Sequence, residues 1–177
     1  MSNWNRVFKP IVVLCVICVV ITGALAATNS VTAPVIQAAT IAAENAARSE
    51  LLPEAEGAFT KVDGIEVENV SDVYTADNGT GTVITSSGKG YSSTVTVMTA
   101  FNPDGTIKQI KVTEQGETQG VGTNVTVKTD FWGQFAGKPA KELVLGTDID
   151  KVTGATISSR AVNNAVNAAI EAYNAIA

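Results

Sequence analysis

Residues Ile11 to Ala27 form a run of 17 without a single charge. A helix rises about 1.5 Å per residue, so the run covers about 26 Å, close to the roughly 30 Å core of a bilayer. Arg6 and Lys9 precede it, and the next basic residue is Arg48. Cytoplasmic flanks carry the excess of Lys and Arg, which predicts a cytoplasmic N-terminus and places the rest of the chain on the outer face of the cell membrane. Trp4 and Phe8 fit the role of interfacial anchors. A second reading is a cleaved secretory signal, because Ala24-Leu25-Ala26 has the small-x-small form of a cleavage site. The run exceeds the usual apolar core of a signal, about 7–15 residues, which favours a retained single-pass anchor in contact with lipid. Cys15 and Cys18 lie three apart inside it and share a helix face. They read as a redox pair, as half of a cluster site, or as small apolar residues packing against another membrane helix.

About 150 residues follow the apolar run, enough for one core. Thr32-Ala33-Pro34 predicts a break or a change of direction. Val35 to Leu52 then reads as a second helix, with Val35, Ala38, Ala42, Ala46 and Leu52 on one face and Pro53 ending it. From Phe59 to Thr113 the pattern is β-like, with Val, Ile, Thr and Tyr stretches between Gly, Asn and Asp turns. The predicted strands are Val67–Tyr74, Gly81–Ser86, Ser92–Phe101 and Ile107–Thr113, the last two joined by the turn Asn102-Pro103-Asp104-Gly105. Gly116 to Gly122 is a glycine-punctuated loop. Lys128 to Phe135 reads as a short helix carrying Phe131, Trp132 and Phe135, aromatics that fit either a core or a stack on a bound ring. Ser158 to Ala175 is amphipathic, with Val162, Ala165, Val166, Ala169, Ile170 and Tyr173 on one face and Asn163, Asn167 and Asn174 on the other. The predicted fold class is α+β: an N-terminal transmembrane helix, then a domain of helices packed on an antiparallel sheet.

The chain has 12 Lys and Arg against 17 Asp and Glu, a net charge of -5, which argues against a nucleic-acid partner. It contains no His and only two Cys. Ser-His-Asp and Cys-His nucleophiles, His-ligated haem and the common zinc sites are therefore excluded, and no metal site or catalytic acid–base residue is assigned. Chemistry carried by a cofactor remains, as does binding without chemistry.

The most informative stretch is Asp150-Lys151-Val152-Thr153-Gly154-Ala155-Thr156-Ile157-Ser158-Ser159. Small residues lead into the last helix, where unpaired N–H groups and the positive dipole end suit a phosphate. Thr156 would place a hydroxyl there, Gly154 and Ala155 would admit a large group close to the backbone, and Arg160 could add charge. The plain alternative is ordinary helix capping. The stretch resembles the flavinylation motif of the FMN-binding domain family, D-x-x-[S/T]-G-A-T. Asp150, Thr153, Gly154, Ala155 and Thr156 match it. A second stretch, Glu117-Thr118-Gln119-Gly120-Val121-Gly122-Thr123, resembles the family's E-T-P-G-L-G loop near the flavin. Gln119 and Val121 depart from that pattern, and Gln115 stands where many members have His. Gly90-Tyr91 and the Asn102–Gly105 turn also look like the family.

The resemblance implies one covalent FMN on Thr156 through a phosphoester, attached by a separate flavin transferase that recognises the motif, Asp150 included. It implies cofactor contacts from Thr153, Gly154, Ala155, Glu117, Thr118, Val121, Gly122 and Thr123, with Thr118 and Thr123 facing the ring or ribityl chain. The whole chain is similar to the G-subunit family of Rnf complexes, ion-translocating ferredoxin:NAD oxidoreductases. The implied role is a membrane-anchored electron carrier working with the other subunits of such a complex. The expected divisions are 1–28 for the cytoplasmic end and membrane helix, 29–56 for a linker and helix, and 57–177 for the FMN-binding domain. The alternatives are a flavin-carrying C-type subunit of a sodium-pumping NADH:quinone reductase and a pilin-like or other anchored module without redox chemistry.

Overall fold

The structure is a computed structural model that describes residues 8–117, 122–126 and 129–176. It falls into two compact units divided between Ala43 and Glu44. Helix α1, Lys9–Leu51, opens with Pro10 in its first turn, where a missing N–H is harmless. Among the described residues it is the one helix long and apolar enough to cross a membrane. Its large side chains from Ile11 to Leu25 are exposed, as are Cys15 and Cys18, both free thiols.

The expected break at Pro34 is not present, since α1 continues through it. A proline deprives one carbonyl of its i−4 partner, but the turns on either side keep theirs and hold the helix. The Thr28, Ser30 and Thr32 hydroxyls donate back to the carbonyls of Ala24, Ala27 and Thr28, so these three hydroxyls find partners within the helix.

In the second unit, β1 (Phe59–Lys61), β2 (Val70–Ala76), β3 (Thr82–Lys89), β4 (Thr94–Phe101) and β5 (Ile107–Glu114) form an antiparallel meander in chain order. The β4–β5 turn works as its sequence predicts. Gly105 adopts φ +80°, and the Asp104 carboxylate accepts from the Thr106 amide and hydroxyl at 2.9 and 2.6 Å. The three-residue β1 is too short to show as an alternating pattern. The sheet's β5 edge is covered at its start by residues 137–140, where the Ile107 amide donates to Lys138 at 2.8 Å.

Both faces of the sheet are packed, which is why β3 and β4 are buried almost without alternation. On one face lies α4, Thr156–Ile176, its Val162, Ala165, Val166, Ala169 and Ile170 set against Ile84, Val95, Val97 and Phe101. Gly88 makes the close approach possible: a Cβ there would lie 2.0 Å from the Ala161 carbonyl oxygen. Beside it the Ser86 hydroxyl donates to the Ala165 carbonyl at 2.7 Å. On the other face the residues from Glu44 to Ala55 cover Ala76, Val83, Met98 and Ala100 with Ala47, Leu51, Leu52 and Ala55. Gln109 there donates to the carbonyls of Glu50 and Leu51, closing the helix end, and Arg48 lies 3.8 Å above the Tyr74 ring.

The polar face of α4 is also engaged. Asn163 and Asn167 both donate to the Leu143 carbonyl, at 2.8 and 2.9 Å, and Asn167 accepts from the Leu143 amide. Asn174 donates to Ala140. The asparagines thus pin the irregular 140–149 segment onto the helix. Helices α2, Thr123–Thr126, and α3, Thr129–Gly133, are short. Phe131 is buried in the core edge-to-face with Phe135, and the Trp132 indole donates to the Val125 carbonyl at 2.9 Å. These aromatics belong to the core.

Candidate functional site

The start of α4 is built by a tight turn. The Ala155 amide donates to the Val152 carbonyl at 3.0 Å, and Gly154 sits inside the turn at φ +83°, a conformation that favours glycine. Ala155 is buried and its carbonyl begins the helix by accepting from the Ser159 amide at 2.9 Å. Thr156, Ile157 and Ser158 follow as the first turn, whose N–H groups have no carbonyl four residues back inside the helix. The positive end of a 21-residue helix dipole is directed here.

Four hydroxyls surround this point and their partners differ. Ser159 is buried, donates to the Ala155 carbonyl at 2.9 Å and accepts from the Val152 amide at 3.1 Å. Ser158 is buried and donates to Glu117 at 2.5 Å. Thr153 is exposed on the turn. Thr156 is half-buried and lines a pocket of about 270 Å³ together with Tyr91, Gly154, Ala155, Ile157 and Ser158. Among the described residues nothing holds the Thr156 hydroxyl in a hydrogen bond. Tyr91 and Ile157 are 68% and 47% exposed, so two large apolar side chains border a free hydroxyl. A Cβ on Gly154 would meet nothing within 4 Å, which leaves open space beside it.

Glu117 lies against the back of this first turn. It is only 7% exposed. Its Oε1 accepts from the Ser92 and Ser93 amides at 3.0 and 3.2 Å, and its Oε2 from the Ser158 hydroxyl. Burial opposes its charge, but the Ser158 hydroxyl and the Ser92, Ser93 and Tyr91 amides outweigh that and hold the carboxyl below its ordinary value. Gly122 and Gly90 press on it, since a Cβ at either would come within 2.3 and 2.5 Å of its carboxylate oxygens. The Ser93 hydroxyl in turn accepts from the Gly116 amide at 2.7 Å.

The structure therefore gathers Gly154, Ala155 and Thr156 around one pocket and sets Glu117 and Gly122 behind it. Thr153 stands on the outer side of the turn. Asp150 is exposed, its backbone gripped by the Gln134 carboxamide, which accepts from the Asp150 amide at 2.7 Å and donates to its carbonyl. Thr123 opens α2, which packs against α4. Thr118 and Val121 lie outside the described residues. Arg160 is exposed and does not line the pocket. Sequence reasoning left Tyr91 and Ile157 out of the site. Tyr91 is 65 residues from Thr156 and only the β3–β4 turn brings them together, although Gly90-Tyr91 carried a family signal.

A phosphate fits the unpaired N–H groups, and an aromatic ring system fits the exposed Tyr91 and Ile157. These features suit a phosphorylated aromatic ligand, and residues 90–171 match the family model of the FMN-binding domain. Over nearly the full chain the similarity is narrower. The G subunit of the Na(+)-translocating ferredoxin:NAD(+) oxidoreductase complex of Acetobacterium woodii is 36% identical over 97% of this chain and 93% of its own. Its counterpart in the proton-translocating ferredoxin:NAD(+) oxidoreductase complex of Clostridium ljungdahlii is 31% identical over 96% and 93%. The G subunit of an ion-translocating oxidoreductase complex of Methanosarcina acetivorans is 29% identical over 99% and 98%. The chain belongs to the family of G subunits of Rnf-type ion-translocating oxidoreductase complexes.

Proposed function

We propose that this chain is the membrane-anchored electron carrier of a ferredoxin:NAD oxidoreductase, with one FMN joined to Thr156 through a phosphoester. The observation that carries the attachment point is the contrast among the serine and threonine hydroxyls. Ser158 and Ser159 are buried and already bonded, and Thr153 lies off the pocket. Among the described residues, Thr156 is the one of these four on the pocket wall with its hydroxyl free. The linking step is a phosphoryl transfer. The Thr156 oxygen attacks the flavin phosphate of a flavin dinucleotide, the phosphoanhydride bond breaks, a mononucleotide leaves and the hydroxyl proton passes to a base of the flavin transferase. No electrons move in this step.

The bound FMN supplies one- and two-electron transfer, and the chain's residues hold it in place. The N–H groups of Thr156, Ile157 and Ser158 would hold the phosphate, and the exposed Tyr91 and Ile157 would offer an apolar surface to the ring. Thr123 and the loop residues Thr118 and Val121 complete the expected contacts. The exposed Asp150 carboxylate is suited to be read by the transferase. Electron relay needs no side-chain base, in keeping with a chain that has no His. One membrane helix cannot form an ion path alone, so the translocation route lies in partner subunits. Near full-length similarity to G subunits favours this complex over a quinone reductase as the setting.

Thr156→Ala tests the assignment, using intact mass and in-gel flavin fluorescence after denaturation on protein from a host with an active flavin transferase. The wild type is expected to carry one added FMN mapped to the Thr156 peptide, and the variant none, with unchanged circular dichroism. A variant that keeps covalent flavin, or a wild type that carries none in such a host, overturns the reading.

A further inference from the structure

We propose that Glu117 is the positioning residue of the flavin site: its buried carboxylate ties the first turn of α4 to the β3–β4 turn and so fixes Tyr91 and Thr156 across their pocket. The inference rests on the reading that Thr156 carries the flavin. Three observations support it. The carboxylate divides its bonds between two remote segments, with Oε1 on the Ser92 and Ser93 amides and Oε2 on the Ser158 hydroxyl. Both segments line the pocket, Tyr91 standing next to Ser92 and Thr156 two residues before Ser158. Glycines at 90 and 122 leave room for the carboxylate that no Cβ would allow.

The arrangement also separates positioning from direct contact. Both carboxylate oxygens face protein donors, and the group is turned away from solvent. A negative charge placed on the flavin phosphate would repel it, whereas a charge placed behind the turn cross-links the walls without meeting the anion. Removing the link would let the acceptor hydroxyl and the aromatic wall drift apart, and small misplacements of a reacting group are costly in rate.

The test uses the full-length chain in detergent with its flavin transferase and flavin dinucleotide. It compares wild type, Glu117→Ala, Glu117→Gln, Ser158→Ala and Thr156→Ala. The readouts are kcat and KM for flavin loading with this chain as the varied substrate, and the fluorescence anisotropy of the attached flavin. Glu117→Ala and Ser158→Ala are expected to lower kcat by roughly tenfold or more, with a smaller change in KM, and to reduce the anisotropy. Glu117→Gln is expected to restore most of both, because its amide oxygen accepts from Ser92 and Ser93 while its NH₂ donates to the Ser158 oxygen.

Wild-type loading and anisotropy in a folded Glu117→Ala protein overturn the proposal, as does a Glu117→Gln protein as impaired as Glu117→Ala. If Glu117→Ala does not fold, Ser158→Ala decides, since alanine suits a helix and removes one half of the link. Flavin on Thr156→Ala instead defeats the underlying assignment, an outcome visible whatever Glu117 does.

Discussion

At the scale of single residues, Glu117 also predicts how the domain responds to acid. Its carboxyl is held below the ordinary glutamate value of about 4.3 by donors that outweigh the cost of burial. The folded state therefore keeps the charge more strongly than the unfolded chain does. That contribution is fully present above the unfolded value and is lost as pH falls through the lower folded value. Glu54 and Asp104 are held low as well, but both are exposed and contribute little. Thermal midpoints of wild type and Glu117→Gln should thus differ most near neutral pH and converge only once the pH has fallen through the lowered folded value. Because glutamine keeps neutral hydrogen bonds to the same partners, the neutral-pH gap is only the charged-over-neutral difference, about 1 kcal/mol. A gap that stays constant down to strong acid would show that the Glu117 charge is not the source.

Gly88 marks the element scale, because α4 and β3 touch there through their backbones. An alanine Cβ would sit 2.0 Å from the Ala161 carbonyl oxygen, and backbone on both sides leaves no flexible atom to yield. Gly88→Ala should therefore push the helix from the sheet and cost about 1–3 kcal/mol or more. Chemical denaturation reads this directly, and an unchanged midpoint would refute the close approach. Because α4 opens at Thr156, the same variant should also slow flavin loading, whereas Gly133→Ala, where a Cβ meets nothing within 4 Å, should not.

Elements of this kind were unevenly legible in the sequence. Helix α4 showed through its apolar stripe, and the strands through β-branched and aromatic stretches set between Gly, Asn and Asp turns, which survive even where both faces of β3 and β4 are buried. The helix at Pro34 did not, since the rule that proline ends a helix describes a lost bond, and one lost bond among the turns of α1 is tolerated. The asparagines of α4 read only as a polar face. Their pairing with Leu143 depends on a segment 20 or more residues away, which no local pattern encodes. The site divides in the same way. Gly154, Ala155 and Thr156 form one contiguous motif and were recognised together. Tyr91 and the engagement of Glu117 with Ser158 join positions 41 or more residues apart, and only the meander brings them near.

For the whole molecule, the question is which side of the membrane holds the flavin. Arg6 and Lys9 precede the uncharged run and no basic residue follows it before Arg48. Moving that N-terminal charge outward would oppose the bias that orients membrane helices, so the N-terminus should stay in the cytoplasm and residues after α1 should lie outside. A flavin held only by contacts to the exposed Tyr91 and Ile157 would be lost from such a compartment by dilution, and a covalent bond at Thr156 removes that loss. Single cysteines test the orientation. With Cys15 and Cys18 replaced by alanine, Lys151→Cys puts a thiol on the exposed residue next to Asp150. A membrane-impermeant maleimide should label it in intact cells, while Ser2→Cys should react only after permeabilisation. The reverse pattern would put the flavin domain in the cytoplasm, where ferredoxin and NAD reach it directly, and would remove the dilution argument for a covalent link.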